Sequence, residues 1–189
     1  SGNYDIAYLR CIPNILIMTP ANECETRLML SSAYEYKGPA SVRYPRGSGP
    51  NILVNPGLEV LEIGKANMIR EGSTKVIFLN FGSLLHEAIE VSKKLDLTLI
   101  DMRFVKPLDK DILRKYLPNA ELFVSLEDGS IAGGAGSSVQ EFCSEENILI
   151  QSKLLGIPDI FIEHASREEM IEEVGLTARQ IEESLRQLI

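Results

Sequence analysis

Three short apolar runs, Val76-Ile77-Phe78-Leu79, Leu97-Thr98-Leu99-Ile100 and Leu122-Phe123-Val124-Ser125-Leu126, most constrain what this chain can fold into. Each is apolar over consecutive residues rather than alternately, so each reads as a strand buried on both faces. A sheet is covered on both faces only when helices lie above and below it, which implies helical crossovers between parallel strands. The intervals supply them: residues 84–94, 109–116 with Asp109 at the start, and 135–144 read as helices, and 149–154 as a fourth strand. Two further helices announce themselves by capping boxes, Ser166 with Glu169 and Thr177 with Gln180, and Gly175 stops the first of them. Residues 59–189 therefore read as a complete doubly wound α/β domain.

The first 49 residues read differently. Residues 5–10 suggest a short helix, and Ile15-Leu16-Ile17-Met18 a buried parallel strand. Asn22 with Glu25 three residues on marks a helix start, with Asn in place of the usual Ser or Thr of a capping box. Gly38-Pro39 ends that helix, and Ala40 to Tyr44 returns as a strand. One crossover with a lead-in helix cannot cover both faces of a sheet, so this unit calls for partner strands that the chain does not contain. Residues 50–58, rich in Gly and Pro at their edges, read as a linker. The chain opens on Ser-Gly-Asn-Tyr, without a methionine, and runs straight into structured sequence, as an interior piece of a longer polypeptide would.

Charge excludes one class of partner. The 189 residues carry a net charge of −8, and residues 1–50 hold five basic against four acidic side chains, so nearly all the acidity lies beyond them. An acidic chain without a basic stripe makes a poor nucleic-acid binder, but a small anion site in the neutral segment is compatible with it. No apolar run approaches the roughly 20 residues of a membrane span. The three cysteines, Cys11, Cys24 and Cys143, are scattered and form no CxxC pair, which suggests reduced thiols rather than zinc ligands or a disulfide framework.

The segment most suggestive of chemistry is Arg43-Tyr44-Pro45-Arg46-Gly47. It sets two guanidiniums at the end of a strand, where open α/β sheets bind their ligands. Arginine offers a planar fork matched to phosphate or carboxylate, and Pro45 and Gly47 make the bend stiff and sharp. On spacing alone a surface arginine pair in a turn fits equally. Residues 129–138, with Gly133-Gly134-Ala135-Gly136, follow a strand and open a helix, as a phosphate loop would. The dinucleotide fingerprint is broken by Val139, however, and Glu127-Asp128 would repel an anion, so close helix–sheet packing is the preferred reading. His86 and His164 have no carboxylate or cysteine at metal-ligand spacing. Arg10 and the turn from Asp101 to Asp109 read as structural.

Taken in order, these segments resemble one family. Residues 4–14 (YDIAYLRCIPN), 43–47 (RYPRG), 79–82 (LNFG), 101–109 (DMRFVKPLD), 133–137 (GGAGS) and 155–159 (LGIPD) together resemble the C-terminal third of the 1-deoxy-D-xylulose-5-phosphate synthase family. The resemblance covers essentially the whole chain. It implies that residues 1–49 are the end of a transketolase-like pyrimidine-binding domain, 50–58 a linker, and 59–189 a transketolase-type C-terminal domain. It further implies a thiamine-diphosphate- and Mg2+-dependent transferase that condenses pyruvate with D-glyceraldehyde 3-phosphate and releases CO2. That is the first step of the non-mevalonate isoprenoid route, which also feeds thiamine and pyridoxal synthesis.

By resemblance, Arg46 anchors the phosphate of the acceptor, with Arg43 as a second candidate. The Gly-Asp-Gly…Asn motif that holds magnesium and diphosphate is absent from this sequence. The cofactor-activating glutamate and the active-site histidine would lie upstream. No catalytic, cofactor or metal residue is therefore expected here, and this chain alone is expected to bind no thiamine diphosphate and to be inactive. The implied partners are the remainder of the polypeptide and a second copy in a homodimer, in a bacterial cytoplasm or a plastid. A transketolase or a 2-oxoacid dehydrogenase β-subunit shares the domain order. A noncatalytic domain for subunit contact or regulation is the alternative of another class.

Overall fold

In the computed structural model, residues 2–47, 49–52, 54 and 57–189 are described. The expected linker at 50–58 includes Leu53, Asn55 and Pro56, which lie outside the described residues. The chain builds two sheets with helices packed on them, an α/β fold with mostly parallel strands.

The amino-terminal part comprises α1 (Asp5–Leu9), β1 (Leu16–Met18), α2 (Glu23–Glu35) and β2 (Ala40–Val42). β1 and β2 run parallel, with Leu16 opposite Ala40 and Met18 opposite Val42. α2 begins where Asn22, in extended conformation, accepts a hydrogen bond from Glu25 N at 3.0 Å. The reciprocal arm of a capping box does not form. The Glu25 carboxylate instead accepts from Ala21 N at 3.0 Å and from Arg103 Nε at 2.7 Å, because the ion pair draws the side chain off the helix end. β2 stops two residues short of Tyr44. Arg43 N still donates to Met18 O at 2.9 Å, but β1 has ended there and Pro45 has no N–H to continue a ladder.

The second sheet is built by β3 (Asn67–Arg70), β4 (Val76–Phe81), β5 (Thr98–Asp101), β7 (Leu122–Ser130) and β8 (Gln151–Ile157), in the order β3-β5-β4-β7-β8. β5, β4, β7 and β8 are parallel neighbours, and β3 is an antiparallel edge. Alternate residues of β4 serve opposite cores. Ile77, Leu79 and Phe81 pack toward α5 (Ala135–Glu145) and α4 (Lys110–Tyr116), whereas Val76 and Phe78 pack toward α3 (Leu85–Lys94) and α7 (Ala178–Arg186). Helices therefore cover both faces, as the continuous apolar runs require. Both expected capping boxes are present, on α7 and on α6 (Arg167–Glu173), and Gly175 takes a φ of 77° just past the end of α6.

One expectation is corrected. The first sheet does receive a partner strand from this chain: β6 (Phe104–Lys106) pairs antiparallel with β1, giving a three-stranded sheet of order β2-β1-β6. β6 is reached from β5 through Met102 and Arg103, the latter at a φ of 59°. Thr19 N donates to Arg103 O at 2.8 Å, so the two sheets are joined by backbone as well as by side chains. Phe104 completes a small core with Leu16, Met18 and Met29.

Candidate functional site

The end of β2 leads into the RYPRG turn, and its two arginines have opposite fates. The Arg43 side chain is only 12% exposed, and all its nitrogens meet protein acceptors. Nε donates to Asp5 Oδ1 at 2.8 Å, Nη1 to Asp128 Oδ1, and Nη2 to Asp128 O at 2.9 Å and Gly2 O at 3.1 Å. Burial weakens its hold on the proton, but the Asp128 and Asp5 carboxylates outweigh this and raise its pKa above the usual value. Asp5 and Asp128 come from α1 and β7, so Arg43 ties the first sheet to the second.

Arg46 lies three residues on, exposed, and no hydrogen bond or ion pair engages it among the described residues. It lines a cleft of about 630 Å³ between the two sheets' elements. One wall is the start of α2, with Asn22 and Glu23; the other is the start of α3, with Ser83 and His86, joined by Arg167 from α6. A chain of contacts links this cleft to the buried arginine. Asp128 Oδ2 accepts from Ser83 Oγ at 2.5 Å, and Ser83 Oγ accepts from Arg167 Nη2 at 2.9 Å. Glu23 Oε1 accepts from Asn51 N at 2.9 Å, while its Oε2 is a buried acceptor without a donor among the described residues.

The glycine-rich loop holds its own anion. Glu127, buried, accepts from Ala135 N at 2.8 Å and Gly136 N at 2.9 Å, filling the first turn of α5 with a carboxylate from the same chain. Burial pushes its pKa up to about 7, against the two N–H bonds and Arg43, which pull it down. A Cβ on Gly134 would sit 2.2 Å from Ser130 O, and one on Gly136 2.2 Å from Ser125 Oγ, so the glycines serve close packing.

A second buried cluster lies beneath. Asp101, fully buried, accepts from Asn80 Nδ2 at 2.9 Å and faces Glu25, which pairs with Arg103. Burial and the nearby Glu25 carboxylate hold Asp101 well above its usual pKa, although Asn80 and Arg103 pull the other way. His86 is exposed on the cleft, and His164 is exposed away from it. Among the described residues no cluster of His, Cys, Asp or Glu could hold a metal ion. Arg10 is structural, donating to Gly133 O at 2.8 Å and pairing with Glu141 at 2.5 Å. Sequence reasoning missed Asp5, Ser83, Asp128 and Arg167, because each gains meaning only from partners more than 35 residues away.

Comparison with known proteins agrees with this architecture. "Transketolase, pyrimidine binding domain" matches residues 1–51, and "Transketolase, C-terminal domain" matches residues 64–181. The chain is 53% identical over 186 residues to the 1-deoxy-D-xylulose-5-phosphate synthase of Stutzerimonas stutzeri (strain A1501), covering 98% of this chain and 29% of that protein. It is 50% identical over 187 residues to the synthase of Pseudomonas fluorescens (strain SBW25), covering 99% of this chain and again 29% of the relative. The chain thus spans under a third of the length of these relatives. A solved split-gene transketolase, described as an inactive beta4 tetramer, superposes with a TM-score of 0.85 at 29% identity, over 98% of this chain and 60% of that one. With buried parallel strands, helices on both faces and a family match over residues 64–181, the chain belongs to the transketolase family through its C-terminal domain.

Proposed function

We propose that this chain is the carboxy-terminal portion of a 1-deoxy-D-xylulose-5-phosphate synthase, and that it supplies the edge of the site where the acceptor's phosphate is held. In the complete enzyme, pyruvate and D-glyceraldehyde 3-phosphate would be joined with loss of CO2. The observation that carries this reading is the contrast within the RYPRG turn: Arg43 is consumed by Asp5 and Asp128, while Arg46 stands exposed on a cleft. A guanidinium so placed can meet a phosphate with paired N–H donors and fix the aldehyde for attack. Arg43 acts one step back, holding the strand end from which the turn departs.

In the complete enzyme, thiamine diphosphate would supply the nucleophilic carbon, and magnesium would hold its diphosphate. The residues present here do not fit them. The sequence has no Gly-Asp-Gly…Asn motif, the glycine-rich loop is filled by Glu127, and the described residues form no metal cluster. The domain division at residues 1–49, 50–58 and 59–189 is part of the same proposal, as are a homodimer and a cytoplasmic or plastid location. That a split-gene transketolase of similar fold is described as an inactive tetramer supports the further proposal that this portion alone is inactive.

The test is Arg46→Ala in a complete synthase carrying these residues. We expect kcat/KM for D-glyceraldehyde 3-phosphate to fall about ten- to a hundredfold, as loss of a charge-assisted contact does. D-Glyceraldehyde without phosphate should be nearly indifferent, and Arg46→Lys should recover only part, since an ammonium cannot reproduce the fork. Equal losses with both acceptors would make Arg46 structural and end this reading.

A further inference from the structure

Arg46 shares its cleft with a second cation. Arg167, the first residue of α6, lines the same space from the opposite unit. Its Nη2 is held by Ser83 Oγ at 2.9 Å, and among the described residues its Nε and Nη1 have no acceptor. Its aim is set from below, because Ser83 Oγ donates to Asp128, and Asp128 is clamped by the buried Arg43. A guanidinium anchored at one nitrogen and open at two loses little freedom when it takes a ligand.

The cleft is not a general anion trap. Glu23 and Glu87 also line it, and their charges offset those of the arginines. Glu23 Oε1 accepts from Asn51 N, but Glu23 Oε2 and Glu87 Oε2 are both buried acceptors without a donor among the described residues. A buried acceptor left unpaired is costly, and a ligand hydroxyl would satisfy it. Two guanidiniums with two orphaned carboxylate oxygens suit a short hydroxyaldehyde phosphate better than a bare inorganic anion. A space of about 630 Å³ is ample for such a molecule.

We propose that Arg167 is a second phosphate-binding residue, which grips from the C-terminal domain the acceptor phosphate that Arg46 meets from the other wall, so that specificity for a phosphorylated acceptor is shared by both domains. This rests on the reading of Arg46 as the phosphate anchor.

The experiment is a double-mutant cycle of Arg46→Ala and Arg167→Gln in a complete synthase carrying these residues, with D-glyceraldehyde 3-phosphate and D-glyceraldehyde as alternative acceptors. Arg167→Gln should raise KM for the phosphorylated acceptor about tenfold, with kcat changed by less than about twofold and D-glyceraldehyde unaffected. The double variant should lose less than the product of the single losses, as two residues on one ligand group do. Ser83→Ala should give a smaller loss of the same selectivity. If Arg167→Gln is poorly folded, Arg167→Lys serves in its place and should show a partial, still phosphate-selective rise in KM. A selective effect of Arg46→Ala with none from either Arg167 variant overturns this proposal and leaves the anchor reading standing. Equal effects of an Arg167 variant on both acceptors also overturn it. If Arg46→Ala itself hits both acceptors alike, both readings fall.

Discussion

Arg43 and Arg46 share a pentapeptide, yet one is an internal strut and the other an exposed cation, and burial separates them. A buried guanidinium must find acceptors for all its donors, and Arg43 finds two carboxylates and two backbone carbonyls. Replacing it by Ala would leave Asp5 and Asp128 facing each other without a cation. The variant should lose about 3–5 kcal/mol, the range for breaking one side of a buried pair. Urea unfolding of Arg43→Ala measures this, and a loss under about 1 kcal/mol would mean that the pair is effectively solvated. The sequence indicated the turn, because Pro and Gly declare a bend locally, and Arg46 stands exposed on it. It could not indicate Arg43's partners, since Asp128 lies 85 residues away and nothing in spacing encodes that approach.

Among the elements, α5 and the loop before it show how a phosphate-loop pattern can be occupied by its own chain. Glu127 ionises near 4.5 in an unfolded chain and near 7 in the fold, where burial dominates. Folding therefore takes up a proton between those values, and the fold loses stability as pH rises from about 4.5 to about 7. Glu127→Gln, which cannot ionise, should remove that slope, so its stability relative to the parent improves by roughly 1–3 kcal/mol between pH 5 and pH 7.5. Denaturant titrations at the two pH values check it, and a pH-independent difference would show that Glu127 titrates normally. Long apolar strands and capped helices were readable because their patterns repeat within a window. β3 and β6 were not. Asn67-Met68-Ile69-Arg70 and Phe104-Val105-Lys106 are too short and too mixed to show a period, and their pairing is set by strands elsewhere. β8 begins two residues later than its apolar run suggests, at Gln151, because Leu149 lies outside the strand and almost fully exposed.

For the whole molecule, the two sheets are held together by the passage of the chain from β5 into β6, the Thr19–Arg103 backbone bond, the Arg43 clamp and the Glu25–Arg103 pair. Among the described residues no group of His, Cys, Asp or Glu could hold a metal ion. Isothermal titration of residues 1–189 with thiamine diphosphate and Mg2+ should accordingly give no measurable heat of binding. Micromolar affinity would place a cofactor site within this chain and refute the division of labour proposed above. The pairing of β6 with β1 also governs the order of events at the ribosome. β1 is synthesised before β6, and its β6 edge has no partner until the chain has passed Lys106. At about 5–20 residues per second, that edge stays open for several seconds, and an open strand edge invites pairing with the wrong chain. Severing the gene between the two units would make that exposure permanent in the upstream product, unless the downstream product arrives in trans to close it.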